Sequence, residues 1–149
     1  MKKLFLANAV VAALSTFGAI QTVAAAENPI TANVTVATDY RFRGISQTLN
    51  APALQGGFDY AHSSGFYVGN WNSNVDFGGS ATAAHLEMDL YGGYKGTVGA
   101  LGYDVGAIRY YYPSALSSGS RTLDTTEIYG GTSYGPFSAK LFYTVSDGY

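Results

Sequence analysis

The side chains that could do chemistry in this chain are seven charged residues on the polar positions of alternating segments. They are Asp39, Arg41, Arg43, Asp59, Glu87, Asp89 and Glu127. Residues two apart in a β-strand point to the same face, so each strand would carry its charges on one side. Rings of charged side chains facing a lumen select ions or polar solutes. The other interpretation is a paired polar network that fills a narrow barrel as a structural plug.

A metal site is a second possibility at His85, Glu87 and Asp89, which alternate along one segment. Same-face neighbours on a strand are about 6.8 Å apart, too far for all three to bind one ion without distortion. A polar ladder is the favoured interpretation, so we predict no metal and no cofactor. The sequence contains neither a nucleophile elbow nor a phosphate-binding glycine loop, and we predict no catalytic residues and no enzyme activity.

The segment that positions the first three charges is predicted to be a strand over residues 31–43. Its alternate positions are Val34, Val36, Thr38, Tyr40 and Phe42 on one side, and Thr35, Ala37, Asp39, Arg41 and Arg43 on the other. This period of two predicts a strand with one apolar and one charged face. A strand of about ten residues with an aromatic end suits a transmembrane β-barrel.

Six further strands are predicted. They are residues 53–61, 66–74, 85–94, 101–112, 125–134 and 137–146. In the strand at 66–74 we place Tyr67, Gly69 and Trp71 outward. The connections alternate long and short, with one short turn at 95–97, as in outer-membrane barrels. Glycine pairs at 56–57, 92–93 and 130–131 recur inside strands, where they would permit bending or close packing.

Composition favours a surface that faces lipid. Charged residues make up 12% of the chain and aromatic residues 15%, with 13 tyrosines, whereas soluble domains carry about 25% charged residues. Two aromatic girdles are expected, because such rings prefer the headgroup zone. Their predicted members are Tyr60, Tyr94 and Tyr134 at the periplasmic level, and Tyr40, Phe42, Trp71, Tyr111 and Tyr143 at the outer level.

The N-terminus has the pattern of a signal peptide. Lys2 and Lys3 precede a mostly apolar run, and small residues lie before Glu27, so we predict a signal peptide at 1–26, cleaved after Ala26. Residues 27–149 would then form one barrel domain. They contain six basic and ten acidic residues, a formal net charge of −4, which argues against a nucleic-acid partner.

Four motifs occur in order along the mature chain. They are TDYRFRGISQT (38–48), QGGFDY (55–60), SGFYVGNW (64–71) and SNV (73–75). With these motifs the chain resembles the Gcw_chp family of conserved hypothetical proteobacterial proteins. The resemblance implies a signal-bearing outer-membrane β-barrel of unknown function and implies no catalytic residues. Family members are longer than this chain.

We therefore expect an all-β, antiparallel up-and-down transmembrane β-barrel in the bacterial outer membrane. About seven strands are visible, and bacterial barrels normally have an even number, so the chain is expected to be a C-terminally truncated larger barrel. Its partners would be outer-membrane lipid and small polar solutes or ions, and its role that of a small-solute channel or a structural or surface protein. The alternatives are a soluble secreted β-sandwich that binds carbohydrate through Tyr and Trp, and an outer-membrane hydrolase.

Overall fold

The computed structural model describes residues 29–78, 84–113 and 123–146. The predicted signal peptide, residues 1–26, and its cleavage site lie outside these ranges. The described residues form nine strands and no helix, which confirms the all-β prediction. Within them, no helix has the length and apolar character needed to cross a membrane.

Seven of the nine strands form one antiparallel sheet. The strands are β1 (Ile30–Ala37), β2 (Arg41–Phe42), β3 (Ile45–Ser46), β4 (Ala53–Ala61), β5 (Phe66–Asn74), β6 (Leu86–Val98), β7 (Leu101–Tyr111), β8 (Thr125–Tyr134) and β9 (Phe137–Thr144). The order in the sheet is β1-β4-β5-β6-β7-β8-β9, and β2 pairs with β3 as a separate hairpin. Each strand therefore pairs with the next long strand along the chain. In the described part of the chain the sheet is open, with β1 and β9 at its edges, so it is not a closed barrel.

Long and short connections alternate as predicted, and the antiparallel order puts all of the long ones at one end of the sheet. The predicted bounds of β4, β5 and β8 agree with the structure. The predicted turn at 95–97 is wrong, because β6 continues to Val98 and the chain turns at Gly99, whose φ is +60°. Lys95 and Gly96 instead pair with Asp104 and Tyr103 of β7.

The predicted strand over residues 31–43 is also wrong in its second half. β1 ends at Ala37, and the chain then folds into the β2–β3 hairpin. Arg43 and Gly44 have φ of +50° and +86°, the two positive values that a two-residue hairpin turn of type I′ requires. The Asp39 carboxylate accepts hydrogen bonds from the Ser46 and Thr48 hydroxyls, so the local side chains stabilise a folded-back segment in place of a strand ladder.

On its central strands the sheet has a polar face that is largely buried and an apolar face that is exposed, while the edge strands β1 and β9 are exposed on both faces. The buried positions of β5, β6 and β8 are mainly polar: Ser73, Glu87, Asp89, Thr125, Glu127 and Tyr129. The opposite face carries exposed large apolar side chains: Val34, Val36, Leu54, Phe58, Val68, Leu90, Val105, Ile128 and Leu141. A protein that folds in water buries its apolar face, so the arrangement here is inverted.

Two tyrosine side chains on the polar face bridge four strands of the sheet. The hydroxyl oxygens of Tyr67 on β5 and Tyr129 on β8 are 2.5 Å apart. These strands are three positions apart in the sheet, about 14 Å if it were flat. Each ring lies over a glycine of the neighbouring strand, Gly93 for Tyr67 and Gly106 for Tyr129, and two extended tyrosine side chains cover that distance.

The predicted outward orientation of Tyr67, Gly69 and Trp71 is wrong. Trp71 is opposite Asp89, and Gly69 is opposite Asp59, so all three β5 positions lie on the polar face. Each face of β5 carries both bulky and small or polar residues, so the pattern of β5 alone does not show which face is enclosed. The register with the neighbouring strands shows it.

Candidate functional site

The structure brings most of the seven predicted charged residues to the polar face of the sheet. Asp59, Glu87, Asp89 and Glu127 lie there on β4, β6 and β8. The other three belong to the segment that folds over one end of this face. Asp39 and Arg41 hold that segment together, and Arg43 reaches from it to β8.

Asp39 and Arg41 organise the β2–β3 hairpin and do not form a ladder on a strand. Asp39 accepts from the Ser46 hydroxyl at 2.5 Å and pairs with the Arg41 guanidinium at 2.7 Å. Arg41 also donates to Asn50 Oδ1 at 2.7 Å and to the Gly44 carbonyl at 3.2 Å. The hydrogen bond from Ser46 holds the pKa of the Asp39 carboxyl below its usual range, so this group stays ionised in mildly acidic solution.

Tyr40 anchors the segment to the polar face. Its hydroxyl donates to Glu87 Oε1 at 2.8 Å, and Tyr112 donates to Glu87 Oε2 at 2.9 Å. Its ring meets that of Trp71 edge to face, with 5.2 Å between centroids. Burial, with the Glu87 carboxyl close by, raises the pKa of the Tyr40 hydroxyl well above its usual range. Both oxygens of the buried Glu87 carboxyl thus have donors, as a buried polar group requires.

The prediction that Tyr40, Phe42 and Trp71 belong to an outer aromatic girdle is therefore wrong. Phe42 contacts the ring of Tyr110, with 6.0 Å between centroids, and so also lies against the polar face. The folded-back segment carries Tyr40 and Phe42 inward, although their spacing in the sequence continues that of the apolar β1 positions.

A second polar network lies farther along the face, toward the short turns. Tyr67 donates to Asp104 Oδ1 at 2.5 Å and accepts from the Tyr129 hydroxyl. Lys140 pairs with Asp104 at 2.6 Å, and its ammonium lies 4.4 Å from the centroid of the Tyr129 ring. These contacts connect β5, β7, β8 and β9 through side chains alone.

Tyrosines on the polar face lie opposite glycines of the neighbouring strand. The register pairs Tyr67 with Gly93, and Tyr129 with Gly106. A Cβ built on Gly93 would come within 2.6 Å of the Tyr67 hydroxyl oxygen. The missing side chains thus provide the space in which the tyrosine rings lie, which is the close packing that the glycine pair at 92–93 predicted.

Sequence reasoning missed most of the tyrosines that complete these networks, because it treated tyrosine chiefly as a girdle residue. They are Tyr67, Tyr91, Tyr110, Tyr112 and Tyr129, and Tyr91 donates to Asp59 Oδ1 at 2.5 Å. The signal that could have found three of them, Tyr67, Tyr91 and Tyr129, was the glycine opposite each in the register. Five other tyrosines occupy the alternate positions of their strands and so lie on the apolar face. They are Tyr60, Tyr94, Tyr111, Tyr134 and Tyr143.

A cavity of about 660 Å³ opens between the β2–β3 hairpin and the ends of β6, β7 and β8. Its charged lining residues are Arg43, Asp76, Glu87 and Glu127. Arg43 Nη2 is 3.5 Å from Glu127 Oε1, and Thr144 donates to the same oxygen at 3.2 Å. Phe42, Phe77, Tyr110 and Tyr112 contribute rings to its wall.

The described residues bring no three His, Asp or Glu side chains into a metal-binding arrangement. Glu87 and Asp89 are both buried on β6, while His85 lies just before that strand and is exposed. Asp89 Oδ1 is buried and has no hydrogen-bond partner among the described atoms. Among the described residues, these groups belong to a side-chain network beside a cavity.

The comparisons with known proteins agree with the motifs. The family model of Gcw_chp, a bacterial protein of unknown function, matches residues 21–149. The chain therefore belongs to this family, as the four motifs predicted. No curated protein and no solved structure matches it significantly.

Proposed function

We propose that this chain is an integral outer-membrane protein of the β-barrel type, with its apolar face toward lipid and its polar face toward the interior. The observation that carries the proposal is the inverted burial of the sheet. On the central strands Val68 and Leu90 are 56% and 50% exposed, whereas Glu87 is 2% exposed. Water would penalise so much exposed apolar area on one continuous face, and lipid would not.

The ends of the apolar face support the same proposal. Near the short turns this face carries Tyr60, Phe66, Tyr94, Tyr134 and Phe137, and the Phe66 and Tyr94 rings meet at 4.9 Å. At the opposite end it carries Tyr111 and Tyr143. Aromatic residues at two levels of an apolar surface are typical of the two membrane interfaces.

The alternative of a soluble sandwich needs a second sheet to cover the apolar face. Within residues 29–78, 84–113 and 123–146, the only other sheet is the two-stranded β2–β3 hairpin, which lies on the polar side. This arrangement favours the membrane proposal over carbohydrate binding by a sandwich.

The first test expresses the full chain, including the predicted signal peptide, in a Gram-negative host. Cell fractionation measures how much of the protein is in the outer membrane, and circular dichroism compares its β-signal in micelles and in plain buffer. We expect it in the outer membrane, resistant to carbonate extraction, with a cooperative β-signal in octyl glucoside micelles and none in plain buffer. A cooperative β-signal in buffer alone would contradict the proposal, because the apolar face would then be stable against water.

Within this class, we propose a structural, surface or ligand-binding role in preference to an open channel. The polar face is occupied by the hairpin and by the networks around Glu87 and Asp104. We expect no stepwise conductance when the protein is added to planar bilayers at low salt. Regular single-channel steps would contradict this proposal, while leaving the membrane location intact.

A further inference from the structure

We propose that the cavity beside the β2–β3 hairpin binds a small organic cation, an ammonium group carried on an apolar body. This inference goes beyond the proposed function, because the cavity is formed by residues of the polar face and the hairpin. It does not depend on whether lipid covers the apolar face.

The size and walls of the cavity suit a small ligand. Its volume of about 660 Å³ lies within the ~300–1,000 Å³ typical of small-molecule sites. Its apolar wall is formed by Phe42, Ile45, Leu49, Phe77 and Leu123, together with Tyr110 and Tyr112. The faces of aromatic rings attract cations, and quaternary ammonium ligands are commonly bound in such cages.

The charges around the cavity select a cation over an anion. Three acidic residues, Asp76, Glu87 and Glu127, line it together with one basic residue, Arg43. The Glu127 side chain is only 8% exposed, so its carboxylate acts where water screens charge less than at the surface. An organic anion would find one basic partner, Arg43, against three acidic residues.

The side chain of Arg43 shows that a cation can lie between an aromatic ring and a carboxylate in this cavity. Its guanidinium carbon lies 4.8 Å from the centroid of the Phe42 ring, and its Nη2 lies 3.5 Å from Glu127 Oε1. That distance exceeds the ~2.7–2.9 Å of a charge-assisted hydrogen bond, and the Arg43 side chain is 49% exposed. The ring and carboxylate are thus only loosely occupied by the chain's own cation, which would compete with a ligand.

The backbone of Arg43 gives independent support. Its φ of +50° is a conformation in which Asn, Asp or Gly is usual. Residues held in such conformations cluster at functional sites. A long cationic side chain at this turn position is therefore unfavourable for the turn itself, and its placement at the cavity accounts for it.

The test titrates the full chain, purified from the outer membrane in octyl glucoside, with three probes of similar shape. They are benzyltrimethylammonium, benzyl alcohol and benzoate. Trp71 is the single tryptophan, and its ring contacts the ring of Tyr40. The Tyr40 hydroxyl donates to Glu87, which lines the cavity. The fluorescence of Trp71, excited at about 295 nm, therefore reports binding in the cavity. We expect saturable binding of the cation, with benzyl alcohol at least about tenfold weaker and benzoate weaker still.

Three variants locate the site. Glu127→Gln keeps the shape and is expected to weaken cation binding about tenfold, whereas Arg43→Gln removes the internal competitor and is expected to strengthen it. Asp104→Asn neutralises another acid of the polar face that does not line the cavity, and should leave affinity unchanged. Circular dichroism verifies that each variant is folded. If Glu127→Gln does not fold, the affinity of Arg43→Gln for the cation decides the test.

The inference is overturned if the three probes bind equally, if none binds, or if neither Glu127→Gln nor Arg43→Gln changes cation affinity. These results are distinct from failure of the proposed function. A chain that folds in plain buffer contradicts the membrane proposal, and the same titration can then be performed in buffer without detergent.

Discussion

At the scale of single residues, tyrosine hydroxyls donate to three buried or half-buried carboxyl groups of the polar face. Glu87 accepts from Tyr40 and Tyr112, Asp104 from Tyr67, and Asp59 from Tyr91. A tyrosine brings its donor to the end of a long, stiff ring, so it reaches across strands at a small cost in side-chain entropy. The abundance of tyrosine therefore has two causes, of which the sequence indicated only the girdles.

The glycines opposite the tyrosines give a prediction about stability. Gly93→Ala would place a Cβ against the Val105 carbonyl and 2.6 Å from the Tyr67 hydroxyl oxygen. We expect it to lower the free energy of unfolding in micelles by about 1–3 kcal/mol, the usual effect of overpacking. Urea titration followed by circular dichroism measures this.

The matched control is Gly130→Ala on β8. A Cβ there has nothing within 4 Å, so the change should be neutral or slightly stabilising, because alanine restricts the unfolded chain more than glycine. Equal destabilisation by both variants would show that the tyrosine–glycine packing does not matter for stability.

At the scale of elements, the strand bounds predicted from the sequence are correct where turn residues flank the strand. They are wrong where the alternation of apolar and polar residues continues past the end of the strand. β4 ends before the turn at residues 62–65, and β8 ends before Gly135, whose φ is +55°. The pattern from Val34 to Phe42 alternates without interruption, so it concealed the end of β1 at Ala37. Arginine is uncommon at a positive φ, so the sequence indicated a turn at Gly44 but did not mark Arg43 as its first residue.

The candidate site was predictable in part for the same reason. Asp59, Glu87, Asp89 and Glu127 lie in segments whose alternation is correct, and the structure puts them on one face. The cavity could not be predicted, because it forms between the misassigned hairpin and strands that are distant in sequence.

The hairpin gives a prediction about pH. The pKa of Asp39 is lower in the folded chain than its ordinary value of 3.8, so its contribution is present above about pH 4 and is lost as the pH falls through the folded value. We expect Trp71 fluorescence to change in that acidic range, as the hairpin loosens and the Tyr40 ring leaves Trp71. The sheet itself should keep its β-signal by circular dichroism.

Two variants test this assignment. Ser46→Ala removes the main cause of the low pKa, so the fluorescence change should move to higher pH. Asp39→Asn cannot titrate and should abolish the change. An unaltered acidic transition in Asp39→Asn would assign it to another group.

At the scale of the whole molecule, the apolar face should behave as a lipid surface whose tolerance of charge depends on depth. Val105 lies near the middle of β7 and Val98 at the end of β6, and both are exposed on this face. In lipid vesicles we expect Val105→Arg to lower the free energy of unfolding by ~2–4 kcal/mol, and Val98→Arg by at most ~1 kcal/mol.

Both substitutions replace the same residue type on the same face, so only their distance from the short turns differs. Equilibrium unfolding in urea, followed by circular dichroism, provides the comparison. Equal effects of the two variants would contradict a membrane surface and would favour an apolar face covered by protein.

The opposed tyrosines and glycines also bear on how the strands find their partners during folding. Alternation repeats every two residues, so it rejects a slip of one position but cannot detect a slip of two. A slip of two between β5 and β6 would put Tyr67 opposite Tyr91 or Lys95 in place of Gly93. Each tyrosine ring has space only opposite its glycine, so a register shifted by two residues would produce a steric clash. The alternation of apolar residues alone would permit that register.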